Sequence, residues 1–392
     1  MVNFDEIIDR RTTDSMKWGY PHKFLEESQA ASDPLPMWVA DMDFRIAPPI
    51  IAAMIDVVNH GIPGYSGVSP SYIEAVTNWQ KTRHNWQVDP DWLVLSPGVV
   101  TMLNMAIQAL SDHGDSILIQ PPVYVHFHQD VLANGREIAA APLRQEGENY
   151  HFDATSFEKA IKENTKLFIL SNPHNPTGNV WSRDDLKKMG DICAAHGIIV
   201  ISDEIHADLV LDKNKKHIPF ASLGEDYAQN SITCTAASKS FNLAGLQCSN
   251  NYIPNEKIRQ IITKHCQACG LGSVNLLGKV ATQAAYMQAA SWLDDLLDYI
   301  RANQKFWRES VNASGLPIHA LPMESLYLSW IDCRPMGLEA AELHDFMLRR
   351  ARLWFDDGRK FGSQGHGFLR VNLGCPRSTV EQAIERLRAA FA

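Results

Sequence analysis

Between residues 92 and 254, short β-branched runs alternate with longer stretches whose apolar residues recur every three or four positions. The short runs, at 92–96, 116–120, 166–171, 198–202, 231–235 and 247–253, predict strands, and the stretches 100–110, 123–133 and 184–196 predict helices. Strand and helix in alternation imply βαβ units and a mostly parallel sheet covered on both faces. After Pro254 the helical period runs most of the way to Ser310, opened by Asn255 as an N-cap, and a run of that length often bridges two domains. Beyond about residue 311, strands at 326–331 and 367–373 mix with helices at 338–350 and 379–391. The first 45 residues, broken by Pro21, Pro34 and Pro36, read as an arm laid over another surface. The expected fold class is therefore α/β, with an arm at 1–45, a large domain at 46–290 and a smaller α+β domain at 291–392.

Composition narrows the function. A length of 392 residues suits one large and one smaller domain, and 45% hydrophobic with 21% charged residues is ordinary for a globular chain. The net charge of -9 repels phosphate backbones and anionic lipid heads, so nucleic acid and membrane are not expected partners. The acidic start, Met1 to Glu6, lacks the apolar stretch of a secretory signal, and a cytoplasmic location is expected. Seven scattered cysteines predict reduced thiols. Cys266 and Cys269, beside His265, have no second pair at ligand spacing, and His126 and His128 read as helix-face or pocket-rim residues, so no metal site is expected. Lys213 to Lys216 reads as a solvated loop.

In an open α/β sheet, ligands bind beyond the carboxyl ends of the strands. Four polar segments follow predicted strands: Ser96-Pro97-Gly98-Val99, Ser171-Asn172-Pro173-His174-Asn175-Pro176-Thr177-Gly178, Ser202-Asp203-Glu204-Ile205-His206 and Ser238-Lys239-Ser240-Phe241-Asn242. The last three stand in the order, and at spacings similar to those, of the fold-type I pyridoxal-phosphate enzymes, the aspartate-aminotransferase superfamily, which the chain resembles over most of its length. Met37-Trp38-Val39-Ala40-Asp41-Met42-Asp43-Phe44 and Leu369-Arg370-Val371-Asn372-Leu373-Gly374-Cys375-Pro376-Arg377 are similar to the cystathionine β-lyase, or MalY/PatB, branch of carbon–sulfur lyases.

The resemblance implies pyridoxal 5'-phosphate as cofactor and a role for each matching residue. Lys239 would bond the cofactor aldehyde and later move a proton. Asp203 would keep the pyridine nitrogen protonated, Asn175 and His206 would reach the phenolic oxygen, and Tyr124 would stack on the ring. Gly98, Val99 and Val100, entering a helix, would offer backbone N–H groups to the phosphate, with Ser238 beside them. Tyr65, in Gly64-Tyr65-Ser66-Gly67, would reach the phosphate of a neighbouring subunit, which implies a homodimer. Arg370 would clamp the substrate α-carboxylate with Asn175, Trp38 and Ala40 nearby, and Trp18, Trp38 and Tyr20 would form an aromatic wall. One departure stands out: Gln247 occupies the place where many aminotransferases carry an arginine for the phosphate.

The implied reaction is α,β-elimination on cystathionine, cysteine or other S-substituted cysteines, giving a thiol, pyruvate and ammonia. An aminotransferase acting on a neutral or aromatic amino acid is the alternative, because the cofactor motifs do not separate the two outcomes. A lyase with an added regulatory binding role is a further one.

Overall fold

In the computed structural model, which describes residues 2–392, seven strands form one sheet. They are β1 (Leu93–Ser96), β2 (Ser116–Ile119), β3 (Glu137–Ala140), β4 (Thr165–Ser171), β5 (Ile199–Asp203), β6 (Ser231–Thr235) and β7 (Ser249–Tyr252). Their spatial order is β1-β7-β6-β5-β4-β2-β3, and every pairing is parallel except the two made by β7. The apolar runs are continuous because both faces are covered. Ile117, Ile119, Ile169 and Ile201 pack with Met102, Leu103 and Ile107 of helix Val99–Leu110. Their strand neighbours Leu118, Phe168, Leu170 and Val200 point the other way, against Leu186 and Met189 of helix Arg183–Ala195.

Several boundaries differ from the pattern, each for a local reason. Gln247 has a left-handed φ of 46°, so β7 begins only at Ser249. Strand β3, Glu-Ile-Ala-Ala, was not predicted, because it is a short edge strand with half its residues exposed. The helical run after Pro254 is three helices, Glu256–Ala268, Leu276–Gln288 and Ala290–Asn312. Helices Pro48–His60 and Pro70–His84, each opened by proline in the first turn, were also not singled out.

A second, antiparallel sheet has the order β8-β9-β11-β10, made of β8 (His319–Ala320), β9 (Leu328–Asp332), β10 (Asp356–Asp357) and β11 (Phe368–Asn372). Leu326 and Gly367, at φ 73° and 78°, lie just outside β9 and β11, so both strands start later than the pattern implied. Register sets Arg370 directly between Trp330 and Asp356. Helix Ala290–Asn312 spans two cores, with Leu293, Leu296 and Ile300 in one and Trp307 and Val311 in the other. Among the described residues, no helix is long and apolar enough to cross a membrane.

The amino-terminal segment stitches these cores together. Leu35–Pro36 pairs in parallel with Leu353–Trp354, and Leu35 and Met37 join the C-terminal core while Phe4, Met42 and Phe44 join the other. Lys17, 1% exposed, donates to Asp43 Oδ2 at 2.5 Å, and the other carboxylate oxygen accepts from Arg10 Nη1 at 2.7 Å and Trp18 Nε1 at 2.9 Å. A charge so enclosed is tolerated only with its partner present. Asp43→Ala is therefore expected to lower unfolding free energy by about 3–5 kcal/mol, because Lys17 is left buried and alone. Urea unfolding measures this, and a loss below about 1 kcal/mol, typical of an exposed pair, contradicts it.

Candidate active site

Strands β1, β2, β4, β5 and β6 all run the same way, so their carboxyl ends share one edge. Each ends at or is followed there by a residue singled out from the sequence: Gly98, Tyr124, Asn175, Asp203 and Lys239. Lys239 lies in the four-residue helix Ala237–Ser240 just past β6, and its Nζ donates to Ala40 O at 2.7 Å. Loss of water around the amine lowers it to about 8, the Arg370 guanidinium adds to this, and Asp41 and Asp203 oppose it.

Asp203 ends β5 with one carboxylate oxygen accepting from Ile205 N–H at 3.1 Å. Burial pushes its carboxyl up to about 7, against the pull of that N–H and of Lys239. His206, one turn further on, is buried with Nδ1 unpartnered. Burial first, then Lys239 and Arg370, hold its imidazole well below the ordinary value, so it is neutral at pH 7. Tyr124 lies just before helix Val125–Ala133, and burial raises its phenol to about 12, with Arg370 opposing and Asp203 adding.

Arg370 is the hub of the opposite wall. Its Nη1 donates to Asn175 Oδ1 at 3.1 Å, and Nη2 donates to Asp356 Oδ2 at 2.6 Å and to Trp38 O at 3.3 Å. Nε has no partner, and the guanidinium lies 4.9 Å over the Phe361 ring. The loop carrying Asn175 is held by its N–H on Ser171 Oγ at 3.1 Å. Lys239, Asp203, His206, Tyr124, Asn175, Arg370, Trp38 and Ala40 thus form one cluster.

Gly98 caps helix Val99–Leu110 with φ 91° and no side-chain cap, and a Cβ placed on it meets nothing within 4 Å. That leaves the first-turn N–H groups, including those of Val99 and Val100, at an open, electropositive end. Ser238 is half-buried beside Lys239, and Gln247 is exposed. Tyr65 stands fully exposed on its loop, away from the buried cluster, while Lys279 Nζ holds the next residues through Ser66 O at 2.7 Å and Gly67 O at 2.9 Å.

The aromatic wall differs from the expectation. Trp38 does take part, stacked on Trp354 at 4.5 Å with Phe24 at 5.1 Å. Trp18 instead turns its indole N–H to Asp43, and Tyr20 is exposed with its hydroxyl on Asp14. His126 pairs with Asp130 four residues on, and among the described residues no three potential metal ligands cluster.

Four contributors were missed: Asp356, Phe361, Tyr327, whose OH donates to Ala40 O at 2.8 Å, and Asn372, whose Nδ2 donates to Val39 O at 2.5 Å and Asp41 O at 2.6 Å. Only Asn372 left a signal in the sequence, two positions from Arg370 and so on the same face of a strand. Chemically, the cluster offers an amine with a lowered pKa, a buried acid, a neutral imidazole, a guanidinium and an anion-ready helix end.

Known proteins share this organisation. The chain is 41% identical to cystathionine beta-lyase PatB of Bacillus subtilis (strain 168) over 393 residues, covering 100% of both chains. Cystalysin from Treponema denticola, whose crystal structure contains pyridoxal 5'-phosphate, superposes with a TM-score of 0.95 at 32% identity, covering 100% of this chain and 99% of that one. The PLP-bound C-S lyase from Staphylococcus hominis gives a TM-score of 0.92 at 32% identity, with 100% and 98% covered. The family description "aminotransferase class I and II" matches residues 39–387, and the chain belongs to that family.

Proposed function

We propose that this protein is a pyridoxal-phosphate-dependent carbon–sulfur β-lyase that cleaves cystathionine, cysteine or related S-substituted cysteines by α,β-elimination. The observation that carries the reading is the Lys239 amine, lowered to about 8 between Asp203 and Arg370 in a chain 41% identical to a cystathionine β-lyase. The residues fit the cofactor. His206 Nδ1 and Arg370 Nε are buried polar atoms without partners, the Asp203 carboxyl sits in the buried cluster, and the space beside Gly98 is open.

When bound, pyridoxal phosphate supplies an aldehyde that condenses with amines and a cationic ring that takes up an electron pair from the substrate Cα. Lys239 would hold the aldehyde end until substrate binds, Asp203 would hold the ring nitrogen, Asn175 and His206 the phenolic oxygen, Tyr124 the ring face, and Gly98, Val99, Val100 and Ser238 the phosphate. A cationic partner resolves the strain on Asp203, whose carboxylate is otherwise disfavoured by burial. Backbone donors would carry the phosphate in place of the arginine that many aminotransferases have where this chain has Gln247.

Arg370 takes the substrate α-carboxylate while Asp356 fixes its planar fork. Trp38 and Ala40 border the amino acid, and the Trp38–Trp354 stack offers an apolar face to its side chain. Lys239, with a substantial neutral fraction near pH 8, removes the α proton and is placed to return one. The β carbon–sulfur bond breaks with its electron pair on sulfur, the thiolate takes up a proton, and one water is consumed as the remainder becomes pyruvate and ammonia.

The protein works as a homodimer in this reading, with Tyr65 reaching the partner subunit's phosphate. Its full exposure, near exposed Val58 and Ile62, supports a face meant to be covered. In this reading the two lobes are residues 46–290 and 291–392, with 1–45 as the arm, and the first half of helix Ala290–Asn312 reaches back into the core of the larger lobe.

Lys239→Ala is expected to lose the visible absorbance of the bound coenzyme linkage and to lower turnover about 10³-fold or more, by the usual weight of acid–base and covalent roles. Normal turnover in that variant ends the assignment. Incubated with L-cystathionine and no keto acid, the loaded enzyme is expected to release pyruvate and ammonia over many turnovers; a single stoichiometric conversion of the cofactor to its amine form identifies an aminotransferase instead. In the cofactor-free protein, acylation of the Lys239 amine is expected to rise with pH through about 8, the neutral form being the nucleophile. Arg370→Ala is expected to move that midpoint upward, since it removes a neighbouring positive charge, and an unchanged midpoint contradicts the electrostatic account.

A further inference from the structure

Behind the sheet edge lies a buried string of polar groups with no role in the scheme above. Asp208 Oδ1 accepts from Trp79 Nε1 at 3.0 Å and meets His84 Nε2 at 2.9 Å, and its Oδ2 accepts from Ser240 Oγ at 2.7 Å. Glu204 accepts from Ser202 Oγ and from Phe220 N–H, both at 2.8 Å, and meets His217 Nε2 at 2.8 Å. The His84 and His217 rings meet edge-on at 5.2 Å. One end of the string is bonded to the residue next to Lys239, and the other is the residue next to Asp203.

Helix Ala237–Ser240 is a single turn with no side-chain cap. A turn that short does not hold its own orientation in water, so its direction is imposed from outside. Contacts with distant elements impose it. Phe241, fully buried, packs on Trp79 and Trp292 at 5.7 and 6.0 Å, and Ser240 bonds Asp208. Asn242, just past the turn, adds directional bonds to Met42 and Phe44, and the Ser240–Asp208 bond is the directional one made from within the turn by the residue next to Lys239. Burial alone would raise the Asp208 carboxyl, but the hydrogen bonds from His84 and Ser240 hold it below the ordinary carboxylate range. An ionised carboxylate in that setting keeps a strong, oriented claim on the Ser240 hydroxyl.

We propose that Asp208 is a positioning residue that acts through Ser240 to hold the turn carrying Lys239 in place, and so keeps the Lys239 amine in its dry seat against Ala40 O. This rests on Lys239 being the reacting amine. Two of the three carboxylates in residues 203–208 then have separate tasks: Asp203 at the reacting centre, and Asp208 setting the position of the amine.

The test compares Ser240→Ala, the near-isosteric Asp208→Asn and, as a packing control in the C-terminal core, Val380→Ala. In cofactor-free protein, pH-dependent acylation of Lys239 is followed by mass spectrometry, with thermal unfolding in parallel. Loosening the turn admits water, so both network variants are expected to shift the midpoint from about 8 toward the ordinary lysine value, by roughly half a unit or more. In loaded enzyme, kcat is expected to fall about 5- to 20-fold with KM near the parent value, as for a displaced reacting group. Val380→Ala is expected to lower the unfolding temperature without moving the midpoint. A midpoint that stays near 8 in both network variants while their stability drops like that of Val380→Ala overturns the proposal. Should Ser240→Ala fail to fold, Asp208→Asn decides alone. Failure of the underlying reading shows separately, as full turnover in Lys239→Ala.

Discussion

An ammonium buried away from water is costly, and the site is organised around avoiding one. The Lys239 amine is lowered to about 8 because it has lost its water and faces Arg370. Neither cause belongs to its own turn of helix or to the strand before it. The covering carbonyl, Ala40 O, comes from the amino-terminal segment, and Arg370 comes from the C-terminal sheet. Opening either would return the amine toward its ordinary value and its protonated, unreactive form.

The strap over the amine is fixed carbonyl by carbonyl. Trp38 O accepts from Arg370, Val39 O and Asp41 O from Asn372, and Ala40 O from both Lys239 and Tyr327. Four consecutive carbonyls thus find donors on side chains of Arg370, Asn372, Lys239 and Tyr327, which explains how the carbonyls of a half-buried, irregular segment are satisfied. The same strap is anchored at its far end by the enclosed Lys17–Asp43 pair, so a stability feature of the amino-terminal segment lies within a few residues of the candidate site.

Arg370 shows how a cation is kept inside a wall. The antiparallel ladder sets Asp356 beside it, and the other oxygen of that carboxylate accepts from Lys360 Nζ at 2.8 Å. The fork is thereby oriented while Nε stays unpartnered. A lysine would supply the charge but not the planar pair of donors.

The large sheet was legible because both of its faces are buried: Ile117 to Ile119 and Leu167 to Leu170 read as unbroken apolar runs whichever way each side chain points. The candidate site was legible wherever a motif sits at a strand end, as at Asp203, Asn175 and Lys239, because strand ends in a parallel sheet converge without further information. What had to wait for the fold was every relationship across elements. Nothing in the order of residues marks Asp356 as the partner of Arg370, turns Trp18 away toward Asp43, or joins Ser240 to His84 through Asp208. The chain alone determined which chemical groups are present and along which edge they emerge, since periodicity and strand direction are local properties. Their desolvation, charge neighbours and aim were decided only when distant segments packed together, because those depend on distances that no local pattern encodes.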